Sequence, residues 1–287
     1  MRKNMFFWLM CLLCLMPVIC PADTGAAGDL GTVVRVNEYV TLREMPKRKA
    51  AEIAKMPLNS TFVYLGETDD DFSYVSYQGQ CGYALSEYLK QLPVEKGTPI
   101  EPDDVLKIRL NLFLTNFSAR WFDSGAAFVF GEHRDREMVD FAVDMLFADS
   151  MEYGEWGDFN ARVNGSRIPE MVARWFGVPS VNVTDTRYDY HEGFYYSDET
   201  GGRSNGGFVI VDRVELLEND RSRISFTVYG TGEDWKPEAV CTLSANRASA
   251  MYPDIVNRSG TAVIRMNGQT ADETQWTLEY WIVKTNE

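Results

Sequence analysis

Glu152, Glu155 and Asp158 recur at every third residue, where a glycoside hydrolase would need an acid and a base flanking a sugar bond. Gly154 and Gly157 interrupt the run, so a shared helix face does not follow from the spacing. Nucleophilic chemistry needs a Ser or Cys beside a base. Gly202-Arg203-Ser204-Asn205-Gly206 matches the Gly-x-Ser-x-Gly elbow, but that elbow requires a strand before the serine and a helix after it. Here a Gly-rich stretch, 201–207, runs into a strand pattern from Phe208, and a flexible loop is expected instead. His133 and His191 stand in no motif with a nucleophile, and Cys81 and Cys241 fall on expected strands, where buried thiols are the simpler reading. Cys-x-x-Cys is absent, which with two histidines outside the leader leaves no zinc pattern. No catalytic residue, metal or cofactor is therefore assigned.

Rings are the more informative residues. Tyr39, Phe72, Tyr74 and Tyr83 in the first third are candidate ligand contacts, because flat, stiff side chains give contact area at little entropy cost. Phe72 and Tyr83 weigh toward core rather than contact, since a small β domain needs its large aromatics inside. Trp121, Tyr188, Tyr190, Tyr195, Trp276, Tyr280 and Trp281 concentrate further on and could line an apolar cavity. On period two, Trp276, Leu278, Tyr280 and Ile282 share one face and Thr277, Glu279, Trp281 and Val283 the other, with one face expected inward.

The elements that would position these residues fall into two domains. Residues 1–22 read as a secretory signal peptide: Arg2 and Lys3, an apolar run from Met5 to Ile19, then Cys20-Pro21-Ala22. Ile19 precedes Cys20 where a lipoprotein signal has a small residue, which disfavours lipidation. Later segments fall short of a spanning helix, so no transmembrane segment is expected once the leader is removed. Arg2 and Lys3 are the leader's only charges, so its loss takes the formal charge from −14 to −16. A nucleic-acid partner is disfavoured, because phosphate neutralisation needs clustered cations and the only basic cluster is Lys47-Arg48-Lys49. Asp69-Asp70-Asp71 lacks the alternating spacing of a calcium loop and reads as a solvated turn.

Short Val/Thr/Tyr-rich segments between turn signals over 31–92 predict a small all-β barrel. Pro93, Pro99, Pro102 and Gly97 mark 93–102 as an extended linker. Residues 103–287 predict an α+β domain of about three helices followed by an antiparallel sheet. Apolar stripes at 106/110/113/114/117, 138/141/142/145/146 and 168/171/172/175/176 give the helices, the last with Ser166 as N-cap and Gly177 as stop. Period-two segments give a hairpin turning at Glu192-Gly193 and strands near 208–217, 223–229, 239–245, 260–266 and 276–283. Asn219-Asp220 and Asn267-Gly268 supply turns between them. By fold-level analogy, helices curled on such a sheet would form a cystatin-like cone.

Leu42-Arg43, Pro46, Ile53, Met56-Pro57, Thr61 to Glu67, Phe72, Val75-Ser76-Tyr77, Gly79, Gly82-Tyr83 and Ser86 to Leu89 follow the order and spacing of bacterial SH3 domains. Residues 31–92 thus resemble that family, with Met45 and Asn59 where it usually has glycine and Tyr83 where it usually has tryptophan. The resemblance implies a binding module for cell-wall peptide or an envelope protein, without chemistry of its own. The order Leu110 to Ser118, Arg174 to Gly177 and Tyr190 to Tyr196 looks like uncharacterised exported proteins of anaerobic Gram-positive bacteria. Together these lead to an expectation of an exported, non-enzymatic envelope protein that binds peptidoglycan or an envelope partner. The competing reading is a wall hydrolase using Glu155 and Asp158.

Overall fold

The structure is a computed structural model that describes residues 30–67, 71–121, 128–129, 135–150, 152–153, 161–197, 207–229, 257–266 and 275–283. An N-terminal unit is built from β1 (Leu30–Val33), β2 (Tyr39–Arg43), β3 (Glu52–Pro57), β4 (Thr61–Glu67), β5 (Phe72–Tyr77), β6 (Gln80–Leu85) and β7 (Leu89–Gln91). They form one antiparallel sheet in the order β3-β2-β6-β5-β4-β1-β7. Alternation sets its faces: Val40 and Leu42 of β2 point inward with Met56, Phe62, Val75, Ala84 and Leu89. Because β3 and β7, at opposite ends of the order, both feed this cluster, the sheet curls around its own core. Gln78 (φ 49°) and Gly79 (φ 71°) make the tight turn between β5 and β6, and Asn59 takes a positive φ of 67° where most residues would be strained.

The second region contains β8 (Thr98–Ile100), α1 (Asp104–Trp121), β9 (Phe128–Val129), α2 (Asp135–Ser150), β10 (Glu152–Tyr153), β11 (Ala161–Asn164), α3 (Ile168–Phe176), β12 (Asp189–His191) and β13 (Phe194–Ser197). It continues with β14 (Phe208–Leu216), β15 (Arg221–Tyr229), β16 (Asn257–Met266) and β17 (Trp276–Val283). A six-stranded antiparallel sheet runs β8-β14-β15-β16-β17-β9, and a smaller one runs β10-β11-β13-β12. The chain is thus a β unit followed by an α+β region, with three α-helices among the described residues.

The helices fall on the three apolar stripes. Gly177 ends α3 in the left-handed conformation (φ 69°), its N–H bonded to the Ala173 carbonyl. Ser166, expected as the N-cap of α3, instead lies inside a 3-10 turn, where its N–H is accepted by the Asn164 side chain. Glu192-Gly193 and Asn219-Asp220 turn their hairpins with positive φ at every position. The expected strand near 239–245, Cys241 and Asn267-Gly268 lie outside the described residues.

Two expectations change. The stretch 93–102 is not a free tether, because its Thr98–Ile100 segment is an edge strand, Ile100 opposite Val214 and Thr98 opposite Leu216. Strand β17, moreover, is buried on both faces. A bulge at Glu279 shifts the register, so Val263 faces Tyr280 while Ile264 faces Leu278. Trp276, Leu278, Trp281 and Val283 therefore all join the helix-side core, and Tyr280 and Ile282 point away from it. They pack there with Val63 of the N-terminal unit, bordered by Leu30, Leu65 and Val263.

The helix-side core is aromatic. Trp281 stacks on Phe226 (centroids 4.7 Å apart), Phe117 on Phe141 (4.7 Å) and Phe113 on Trp175 (5.3 Å). Trp276 and Trp281 are wholly buried and fill the space between sheet and helices, where the sequence suggested a cavity lining. Beside β8, the free edge of β14 is closed by α1 instead of a strand. Asn111 Oδ1 accepts the Val211 N–H at 2.8 Å and Thr115 Oγ1 accepts the Val209 N–H at 3.0 Å. The fit is geometric: four helical residues rise about 6 Å and two strand residues about 6.7 Å.

Candidate functional site

Strand register assembles the candidate rings. Tyr74 on β5 stands opposite Tyr83 on β6, and the rung continues to Gly66 on β4 and Arg43 on β2. The two rings lie 4.9 Å apart at an interplanar angle of 39°. Both are half-buried on the outer face of the sheet, the face away from the Val75 and Ala84 core. A Cβ placed on Gly66 would meet nothing within 4 Å, so the rung is open beside Tyr74. Arg43 at its other end is fixed by donating to the Ala50 carbonyl at 2.8 Å.

Cys81 lies on the same face, its thiol hydrogen-bonded to Ser76 and Tyr74. Burial pushes the thiol pKa up and outweighs those two bonds, so the group stays protonated and is no nucleophile at neutral pH. Burial also raises the Tyr74 phenol, with Cys81 and Tyr83 adding to the shift.

The other two candidates stand apart from this pair. Phe72, on the same face one rung further along, is buried at 6% exposure. Tyr39 is exposed, but it begins β2 opposite Pro57, four residues and about 13 Å along the strand from Arg43. Its ring is capped by the Lys55 ammonium, 4.5 Å from the centroid, and the hydrogen bond between them raises the Lys55 pKa. Of the four, the structure brings Tyr74 and Tyr83 together.

The catalytic alternatives are less visible. Glu155, Asp158, His133, Cys241 and the 202–206 motif lie outside the described residues, as does Trp121's side chain. Glu152 stands in β10 opposite Arg162. His191 is an exposed hairpin residue stacked on Tyr196 (4.0 Å, 5°), with Asp189 at 3.3 Å. Among the described residues no group of three or more His, Cys, Asp or Glu is placed to hold a metal ion, and no helix is long and apolar enough to cross a membrane.

One polar cluster escaped the sequence reading. Asp140 and Asp144, one turn apart on α2 and off its apolar stripe, hold the segment that leads into β12. Asp140 Oδ1 accepts from Thr186 Oγ1 (2.5 Å) and the Arg187 N–H (3.0 Å). Arg187 donates to both oxygens of Asp144 at 3.0 Å, and Tyr188 donates its phenol proton to the same carboxylate. Burial, then the charge of Asp144, pushes the Tyr188 pKa far up, so the phenol is a fixed donor rather than a proton shuttle. Arg187 is raised despite its burial, because Asp144 favours the cation. The cluster pins a loop; the signal for it was the i, i+4 carboxylate pair, which names no partner by itself.

No protein-family model matches the chain, and no curated protein matches it in sequence.

Proposed function

We propose that this is an exported, non-enzymatic protein of the cell envelope, in which a bacterial SH3-like barrel over 31–92 binds peptidoglycan or an envelope protein. In this reading residues 1–22 are a signal peptide, and 103–287 form a cystatin-like cone that serves as a scaffold. The observation that carries it is the half-buried Tyr74–Tyr83 pair beside the space at Gly66. Two adjoining rings with polar tips suit an extended peptide, which gives its apolar surface to the ring faces and its amides to the hydroxyls. The scaffold role is supported by the packing of the second region, where the large rings are spent on a filled core. The α+β region also presents helices on one face of its six-stranded sheet and the N-terminal unit on the other.

Incubation of the protein with purified cell wall tests the reading. The protein should sediment with the wall and release no soluble sugar or peptide fragments. Steady release of such fragments would favour the hydrolase reading and contradict this one.

A further inference from the structure

The linker and the face beside the tyrosine pair carry one more inference. The linker is strapped to the second region, and the N-terminal unit meets that region directly at two places. The Glu95 carboxylate receives two hydrogen bonds from the Arg221 guanidinium at 2.7 and 2.8 Å, and its backbone carbonyl receives one from Arg223 at 2.6 Å. Arg223 is itself buried and held by Glu215 at 2.8 Å, so this anchor belongs to a fixed ion network rather than a mobile surface pair. Gly97 is pressed against Glu215, whose Cβ would lie 2.8 Å from any Cβ added there, and Thr98–Ile100 then pairs as β8. Val63 buries itself against Tyr280 and Ile282. At the tip of the β5–β6 hairpin, Gly79 lies so close to α2 that an added Cβ would sit 2.5 Å from a Glu137 oxygen.

The docked surface adjoins the candidate site. Val63, Ser76 and Cys81 stand on neighbouring strands, with Val63 opposite Ser76 and Ser76 opposite Cys81. Tyr74 lies two residues from Ser76, about 7 Å along the strand. The tyrosine rung therefore runs parallel to the domain junction, one step away from it. A ligand can follow that rung across the strands, from Gly66 toward Arg43, whereas one laid along β5 would run toward the second region.

We infer that the Glu95 strap and the Val63–Ile282 contact lock the two regions into one rigid body, and that this fixed pose shapes how ligand reaches Tyr74 and Tyr83. The second half rests on the function proposed above; the lock does not.

Lys96 reports on the lock directly, because it is exposed, follows Glu95 and precedes Gly97, and trypsin cuts after lysine only where the backbone is free to open. In the intact protein, cleavage after Lys96, identified by mass, should be slower than in a peptide of residues 90–102 by roughly a hundredfold. Glu95→Ala, which removes the carboxylate bound by Arg221 and keeps the backbone carbonyl, should speed it about tenfold, and Ile282→Asp more so. Unlocking should also weaken wall binding several-fold. Wild-type cleavage as fast as that of the free peptide overturns the lock, whatever Ile282→Asp does to folding. Faster cleavage of Glu95→Ala with unchanged wall affinity overturns the coupling and leaves the tyrosine reading standing. Full wall affinity in a Tyr74→Ala, Tyr83→Ala protein overturns the tyrosine reading and the coupling together, with the lock still decided by Lys96.

Discussion

The side-chain carbonyl of Asn111, on α1, accepts the backbone N–H of Val211, on β14, at 2.8 Å, so a helix completes the hydrogen bonding of a strand edge that has no neighbouring strand there among the described residues. Thr115 repeats the contact at Val209 one helical turn on, and its own hydroxyl donates to the backbone carbonyl of Asn111 at 2.6 Å. Buried backbone donors are costly to leave unpaired, and an open edge invites pairing with another chain.

Asn111→Ala is accordingly expected to destabilise the protein by about 1–3 kcal/mol, the desolvation cost of an orphaned buried N–H. Urea unfolding followed by circular dichroism measures it. A variant as stable as the wild type would mean that water or another group satisfies Val211.

The bulge at Glu279 makes a sharper prediction. Deleting Glu279 removes the extra residue and restores strict alternation with every face kept, Trp276, Leu278, Trp281 and Val283 toward the helices and Tyr280 and Ile282 away from them. The deletion should therefore still give soluble, folded protein, with the bulge and the Glu279 ion pair lost. Glu279→Ala keeps the bulge and loses the Arg265 ion pair, 2.6 Å long and partly exposed, so its cost should stay at or below about 1 kcal/mol. Near-ultraviolet circular dichroism should show the packed aromatic core in both variants, and its loss in the deletion would contradict the register.

Asp140 predicts a pH dependence. Burial raises its pKa above the ordinary 3.8, and the bonds from Thr186 and the Arg187 N–H offset only part of that. The folded protein therefore holds the proton more tightly than the unfolded chain. Its contribution to stability is complete below the ordinary value and is lost as pH rises through the raised one. An asparagine side chain in its place would accept the same two bonds without a buried charge. Asp140→Asn should thus be close to neutral or stabilising at pH 7, with the difference from wild type shrinking as the pH falls toward 4. Urea midpoints across pH 3–7 test the sign, and a variant that loses stability mainly at high pH would refute it.

Much of this fold could be read from local pattern. The stripe 138/141/142/145/146 becomes the buried side of α2, Gly177 stops α3, and Glu192-Gly193 turns a hairpin, because periodicity and positive φ are properties of a few neighbouring residues. What stayed hidden depends on distant partners. Period two assigned Tyr280 and Trp281 to opposite faces correctly, but it could not anticipate the bulge that puts Trp281 beside Trp276, or Val63 waiting on the far side. Pro-rich composition suggested an extended 93–102, and nothing local announced that Glu95 would meet arginines 126 and 128 residues away. The site shows the same division. Tyr74 and Tyr83 flank the Gln78-Gly79 turn symmetrically enough to be paired by register, whereas Tyr39 sits at the wrong end of its strand to join them.

The most direct test of the binding account is the affinity of the folded Tyr74→Ala, Tyr83→Ala protein for purified cell wall, measured by sedimentation beside the wild type. The account predicts a loss of at least about tenfold, equivalent to roughly 1.4 kcal/mol, with the circular dichroism spectrum unchanged. Wild-type affinity in that variant would contradict it.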